Sequence, residues 1–126
     1  MTRAEAFDKA WKLGLKGDFS LVDEIYHPEY TAFDNTSGVE VNLESDKIAV
    51  STIREMIIFG PRKILFEDEN FLEIQTYNRL KDSDIFNSVI TSITYKDGKI
   101  MTQKSVGEEL NSDPSEGQDW NWEDYE

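Results

Sequence analysis

The stretch YTAFDNTSG at residues 30–38 contains a candidate acid/base, Asp34. Successive side chains of a strand point to opposite faces, so Tyr30, Ala32 and Asp34 share one side, and that side is otherwise apolar. A carboxylate at the mouth of an apolar cavity loses hydration, which raises its pKa and makes it a usable general acid or base near neutral pH. The same residues also fit a turn, in which Asp34 accepts hydrogen bonds from nearby backbone N–H groups. Both interpretations stay open at the level of the sequence.

His27 is the single histidine of the chain. One imidazole cannot build a histidine metal cluster, but it could form a proton-transfer dyad with Asp34. Its position before Pro28, at the end of a predicted helix, instead favours capping or packing at the surface. Hydroxyl groups for a ligand could come from three tyrosines, although aromatic side chains more often belong to the core. These are Tyr26, Tyr30 and Tyr77.

The composition excludes several classes of function. The absence of cysteine rules out disulfides, thiolate metal sites and cysteine nucleophiles. The acidic stretches FEDEN and KDSD lack the spacing of a calcium loop, and the chain has no phosphate loop or dinucleotide fingerprint, so we expect neither a metal ion nor a cofactor. A net charge of −13 opposes binding to nucleic acid or to an anionic membrane. The N-terminus lacks the continuous apolar run of a signal peptide and no later run could span a bilayer, so we expect a cytoplasmic location.

The periodicity of apolar residues predicts helices in the first half of the chain and strands in the second. Helical spacing covers residues 3–16, a short helix follows Ser20 and stops before Pro28, and a third helix ends at Gly60. A strand is predicted over residues 29–33. The later strands are KILFE, NFLEIQTYNRL, DIFNSVITSITY and KIMTQKSV, with a tight hairpin at Asp97-Gly98. This order predicts an α+β domain over residues 1–110, with helices covering one face of a largely antiparallel sheet.

Residues 111–126 form an acidic, aromatic tail without lysine or arginine. Such a composition is typical of a solvated, mobile extension. Its three large aromatics, Trp120, Trp122 and Tyr125, instead favour docking onto a partner protein or onto the body of the chain. The sequence leaves both possibilities open.

Three stretches together resemble the nuclear-transport-factor-2-like superfamily, in particular its SnoaL-like and ketosteroid-isomerase-like branches. They are AFDKAWKLGLKGDFSLVDEIYHPEYTAFD, the third helix ending at Gly60, and ITYKDGKIMTQKSV. The resemblance implies a cone-shaped domain in which a strongly curved, mostly antiparallel sheet wraps around three helices and encloses an apolar pocket. It also implies homodimers formed through the outer face of the sheet.

The resemblance assigns one catalytic role to this chain. In ketosteroid isomerase a carboxylate base moves a proton while a tyrosine and a protonated acid stabilise the oxyanion. The base matches Asp34, whereas the positions of the tyrosine and of the neutral acid read Ala10 and Thr91. SnoaL-type cyclases carry an acid/base on the last strand, which reads Gln103, Lys104 and Ser105 here.

The resemblance also implies which side chains line the pocket. One face of the sheet would contribute Val89, Thr91 and Ile93 together with Met101, Gln103 and Ser105. Trp11, Phe33 and Met56 could close the inner end of the pocket, and Tyr30 and Tyr77 could offer hydroxyls. Such a lining favours a small, mostly hydrophobic molecule with one or two hydrogen-bonding groups.

Two hypotheses of function follow. The first is a SnoaL-like protein that binds a small hydrophobic molecule and carries out an isomerase- or cyclase-like proton transfer, with Asp34 and His27 as the candidate catalytic residues. The alternative is a non-catalytic, dimeric interaction module that uses the sheet face and recruits a protein partner through its tail.

Overall fold

The computed structural model describes the backbone of residues 2–34 and 39–125, together with all of their side chains except those of residues 33, 34 and 39–41. Within this part of the chain, no helix is both long enough and apolar enough to cross a membrane.

Three helices precede the main run of strands. Helix α1 spans Arg3–Leu15 and begins where the Thr2 hydroxyl accepts a hydrogen bond from the Glu5 backbone N–H (3.1 Å). Helix α2 spans Ser20–Ile25. Helix α3 spans Leu43–Ile53 and is capped by Asn42, whose side-chain oxygen accepts from the Ser45 N–H (2.9 Å).

The predicted end of the third helix at Gly60 is wrong. Helix α3 stops at Ile53, and a strand begins at Ile57. The run Ile57-Ile58-Phe59 is apolar at every position and suits a strand as well as a helix, so periodicity cannot assign it. Pairing with a later strand decides the matter, because Ile57 lies opposite Leu80.

In the described part of the chain, six strands form one sheet in the order β2-β1-β6-β5-β4-β3. They are β1 (Tyr26–Asp34), β2 (Val39–Val41), β3 (Ile57–Glu67), β4 (Phe71–Leu80), β5 (Phe86–Lys96) and β6 (Lys99–Leu110). Among these described strands only the β1 and β6 pair is parallel, which confirms the predicted mostly antiparallel α+β architecture. Register shifts interrupt β3, β6 and the β1 pairing, and such irregularities bend a sheet.

The β5–β6 hairpin turns at the predicted residues. Asp97 and Gly98 both have positive φ, 55° and 77°. Two consecutive residues in this region match the twist of the flanking strands, which is why the Asp-Gly pair is favoured there.

The main core lies between α1 and one face of the sheet. Helix α1 contributes Ala4, Phe7, Ala10 and Trp11 from a single stripe, as its spacing predicts. On the strands that face α1, buried side chains alternate with side chains that point to the other face of the sheet. The fully buried ones include Leu72, Ile93 and Ile100. This face of the sheet is called the inner face below.

The C-terminal segment packs on the other side of the sheet, the outer face. Trp122 is 4% exposed and lies in a separate cluster with Ile58 and Phe86. It belongs to a short 3₁₀ turn, Trp122–Tyr125. Gly60 permits the close approach, since a Cβ atom there would lie 3.0 Å from the Trp122 ring and 3.0 Å from the carbonyl oxygen of Tyr77.

Candidate functional site

A cavity of about 240 Å³ lies between α1, α3 and the inner face of the sheet. Most of its wall is apolar and includes Phe7, Trp11, Val50, Ile53, Ile74 and Val89. Polar side chains enter at a few points. They are Asp46 from α3, Arg62 from β3, Thr76 and Asn78 from β4, Thr91 from β5, and Gln103 and Ser105 from β6.

Five residues that the sequence proposes as lining the pocket do line this cavity. They are Trp11, Val89, Thr91, Gln103 and Ser105. Thr91 and Ser105 are cross-strand neighbours, and their hydroxyl oxygens lie 3.0 Å apart in a hydrogen bond. The alternation of strand side chains explains why the residues from β5 and β6 reach the same face.

Four other predicted lining residues lie elsewhere. Met56 is 53% exposed, because α3 ends before it and its side chain leaves the helical stripe. Tyr77 follows Thr76 along β4 and therefore points to the outer face, where it stacks on Trp120. Ile93 is on the inner face but is completely buried in the core beneath α1. Met101 lies at a register shift between β5 and β6. The alternation of side chains, from which it was expected to face the pocket, is interrupted there.

The backbone keeps the two members of the proposed dyad, His27 and Asp34, far apart. The two residues lie near opposite ends of β1, and seven residues of strand span roughly 20 Å. The Nδ1 atom of His27 accepts a hydrogen bond from the Glu29 N–H (3.0 Å), and its Nε2 atom lies 3.7 Å from the carboxylate of Asp97 in the hairpin. His27 therefore lies at the start of β1, beside the β5–β6 hairpin and away from the cavity. The side chains of Asp34 and Phe33 lie outside the described residues.

The structure brings a different carboxyl group, that of Asp46, to the cavity. Asp46 lies in the first turn of α3, and its Oδ2 atom accepts a hydrogen bond from the Tyr30 hydroxyl (2.7 Å). Burial raises the pKa of Asp46, and the hydrogen bond from Tyr30 opposes this only in part. Burial also raises the pKa of Tyr30 far above its ordinary value, so this hydroxyl stays protonated and donates. Tyr30 thus lies behind the cavity wall and positions Asp46.

Sequence reasoning missed Asp46 because its position has an ordinary explanation. Acidic residues are common in the first turn of a helix, where they stabilise its N-terminus. Nothing in the sequence pairs it with Tyr30, sixteen residues earlier in a strand. The one signal in the sequence that points toward this region is the side of β1 that carries Tyr30, which is predicted to face the pocket.

A second buried chain of hydrogen bonds fixes Gln103. The indole N–H of Trp11 donates to the Tyr26 hydroxyl (2.9 Å), which donates to Oε1 of Gln103 (2.6 Å). Burial raises the pKa of Tyr26, so it remains a donor. Because the amide oxygen of Gln103 already accepts a hydrogen bond from Tyr26, its amide nitrogen is the atom that can donate a hydrogen bond to a ligand.

Arg62 supplies a buried positive charge at the cavity wall. Its guanidinium lies over the ring of Phe7, with Cζ 5.1 Å from the ring centroid, and its Nη1 atom is 3.4 Å from Oδ1 of Asp8. That separation allows Coulomb attraction, but the geometry is not that of a hydrogen bond. Burial lowers the pKa of Arg62 despite the opposing effect of Asp8.

Among the described residues, no group of three or more His, Asp or Glu side chains is arranged to hold a metal ion. The polar groups of the cavity instead comprise one carboxyl, one guanidinium, two amides and three hydroxyls. This set can form hydrogen bonds with an organic molecule and can exchange a proton with it.

Comparison with solved structures identifies the fold. An NTF-2 like protein of unknown function from Burkholderia xenovorans LB400 matches with a TM-score of 0.68 and 16% identity, over 94% of each chain. A steroid delta-isomerase from Pseudomonas aeruginosa matches with a TM-score of 0.60 and 13% identity, over 86% of this chain and 81% of the other. An LEH-like epoxide hydrolase from M. tuberculosis matches with a TM-score of 0.57 and 13% identity, over 82% and 80%. No family model and no curated protein matches the sequence.

At these identities the likeness shows the fold alone. The resemblance inferred from the sequence is confirmed at that level, because the match extends over 94% of the chain with a TM-score of 0.68. The matching structures include proteins with different reactions in their names, and a fold does not determine a reaction.

Proposed function

Because the chain has the nuclear-transport-factor-2-like fold, we propose that it binds a small, mostly apolar molecule in the cavity and that Asp46 exchanges a proton with this molecule. The size of the cavity limits the ligand. A volume of 240 Å³ corresponds to about eight water molecules in the liquid, which suits a molecule built on a single ring. The apolar wall favours a ligand with few polar atoms.

The placement of Asp46 is the observation that carries the proposal. Tyr30 occupies one carboxyl oxygen, Oδ2, and so holds the side chain in one orientation while Oδ1 can act on a ligand. A general base is most effective when its pKa lies near the working pH, and burial moves Asp46 in that direction. Gln103 and Asn78, whose amides also line the cavity, could stabilise an oxygen atom on which charge develops.

Asp34 is the alternative carrier of the proton. It was the acid/base candidate from the sequence, and the matching position in ketosteroid isomerase holds the base. A direct comparison of Asp34→Asn with Asp46→Asn separates the two candidates.

Deuterium exchange into cyclohexanone tests the proposal. The base removes a proton from the carbon beside the carbonyl, and the resulting enolate takes up a deuteron from D₂O, which proton NMR detects. We expect the protein to bind cyclohexanone, seen as shifts in its ¹⁵N spectrum, and to accelerate exchange. Asp46→Asn should retain binding and reduce the enzyme-dependent exchange by about 100-fold or more.

The matched control is Glu44→Gln. Glu44 lies in the same turn of α3 but is exposed and contacts Lys47 outside the cavity. Exchange should be unchanged in this variant. If Asp34→Asn abolishes exchange while Asp46→Asn does not, the base is Asp34. If neither cyclohexanone nor any other single-ring compound that is titrated changes the spectrum, binding in the cavity is refuted.

The outer face of the sheet supports a second proposal, that the protein is a homodimer. Ile90 and Val106 lie opposite each other on β5 and β6, and they are 41% and 56% exposed. An adjacent pair of exposed apolar residues on the surface of a sheet favours burial against another molecule. Analytical ultracentrifugation of the wild type and of Ile90→Lys tests this, since the charge should dissociate the dimer without reaching the cavity. A wild type that sediments as a monomer contradicts it and leaves the tail as the remaining candidate for binding a protein partner.

A further inference from the structure

Arg62 lies at the boundary between the cavity and a second hollow. Besides lining the cavity, it lines an open cleft of about 690 Å³ between α1, the end of α3 and β3. Leu15 and Phe59 also belong to both walls. A ligand that enters from the cleft therefore passes the guanidinium before it reaches the apolar interior.

The charge of Arg62 is only partly compensated by its neighbours in the described part of the chain. Its ion-pair partner is Asp8, whose other carboxylate oxygen contacts Lys12 at 2.8 Å. One carboxylate thus faces two cations. The buried Nη1 atom lacks a hydrogen-bond partner among the described residues. A guanidinium has five N–H donors and binds a carboxylate best through two parallel hydrogen bonds.

The cleft concentrates positive charge in a protein that is otherwise strongly acidic. Five of the 13 basic residues of the chain line it. They are Lys12, Lys16, Arg54, Arg62 and Lys81, and the acidic residues beside them are Asp8, Glu55 and Asp124. With a net charge of −13, the remainder of the protein repels an anion, and this cleft is a place where an anion would be attracted.

We propose that the ligand of the cavity is a small carboxylic acid, whose carboxylate pairs with Arg62 at the inner edge of the cleft and whose apolar body fills the cavity. The inference rests on the proposed function, since it names the class of molecule that the same cavity takes. Asn78 adds a second polar contact, because its buried Oδ1 atom lacks a partner among the described residues and could accept a hydrogen bond from a hydroxyl on the acid.

Matched pairs of acid and amide test the inference. Benzoate with benzamide, and cyclohexanecarboxylate with its primary amide, are titrated into ¹⁵N-labelled wild-type protein at pH 7. Each pair has nearly the same shape and differs in charge. We expect the acid to bind about tenfold more tightly than its amide or better, because the hydrogen bonds to Arg62 are charge-assisted. The preference should weaken with added salt.

Two variants of Arg62 test whether this side chain causes the preference for the acid over its amide. Arg62→Gln should bind acid and amide equally, and Arg62→Lys should keep part of the preference because it retains the charge but not the planar donors. The control is Arg79→Gln. Arg79 also packs over an aromatic ring, that of Phe86 at 5.6 Å, but it lies away from the cavity, and its variant should retain the full preference.

A third variant keeps the test decisive if Arg62→Gln does not fold. Asp8→Asn removes the competing carboxylate and leaves Arg62 in place, so the affinity for benzoate should rise while that for benzamide stays constant. Equal affinities for acid and amide in the wild type would overturn the carboxylate inference and leave the proposed function standing. Binding of neither compound in any pair would overturn both.

Discussion

Replacing Trp122 by alanine tests whether the C-terminal segment contributes to the stability of the fold. Trp122 is nearly fully buried against Ile58 and Phe86, and its ring is stacked on Phe86 with centroids 5.9 Å apart. A second aromatic contact, with Trp120, is edge-on at 4.9 Å. The indole N–H donates to Oδ1 of Asp113 (2.9 Å). Alanine removes all of these contacts.

The expected loss follows from the burial of this side chain. Replacing a buried tryptophan by alanine typically costs ~3–5 kcal/mol. If the segment detaches from the body as a unit, the loss of stability cannot exceed the free energy of its docking, so we expect the lower end of this range, about 3 kcal/mol. In a domain of this length each kcal/mol lowers Tm by roughly 3–5 °C, so Tm should fall by about 10 °C.

Thermal and urea unfolding, followed by circular dichroism, give the measurement. The matched control is Trp120→Ala. Trp120 is half-buried and its indole N–H bonds to Gln118 within the segment, so its loss should cost less than half as much. A Trp122→Ala variant whose Tm lies within about 2 °C of the wild type would refute the packing argument. The segment would then be free of the body in solution.

Three further predictions concern the site and its surroundings. Burial raises the pKa of Asp46, so the native state holds its proton more tightly than the unfolded state and stability declines as pH rises from about 4 through the native pKa. The Asp46→Asn variant cannot lose stability in this way, so its free energy of unfolding relative to that of the wild type should increase as the pH rises. Urea titrations at successive pH values measure this difference. A difference that stays constant with pH would contradict the raised pKa of Asp46. Gly60→Ala should destabilise the protein by about 1–3 kcal/mol in urea unfolding, because the new Cβ meets the Trp122 ring and the Tyr77 carbonyl, and this cost should fall only in part in a Trp122→Ala background, since the contact with the Tyr77 carbonyl remains. Val89→Phe should fill part of the cavity and abolish cyclohexanone binding in NMR titrations while the protein stays folded; undiminished binding would place the ligand elsewhere.

The elements with strong local patterns could be predicted from the sequence. The stripe of α1, with Phe7, Ala10 and Trp11, is buried as its spacing indicates. The β5–β6 hairpin turns at Asp97-Gly98 because only a few residue types adopt positive φ readily. Part of the candidate site follows from the alternation of strand side chains, which places Val89, Thr91 and Gln103 on one face.

The residues with charge or acid/base chemistry at the cavity could not be predicted in this way. Asp46 meets Tyr30 because α3 packs across β1, and Arg62 reaches the inner face because a register shift in β3 changes the alternation after Phe59. Each of these depends on how two distant segments align.

The sequence by itself determined α1 and α2, most of the strands, the acidic charge and the apolar faces, because each of these properties depends on residues close together in the chain. Only the tertiary structure decided which polar groups meet in the cavity, where α3 gives way to β3, and where Trp122 packs. These features depend on strand register and helix packing, in which a shift of one residue moves a side chain to the opposite face.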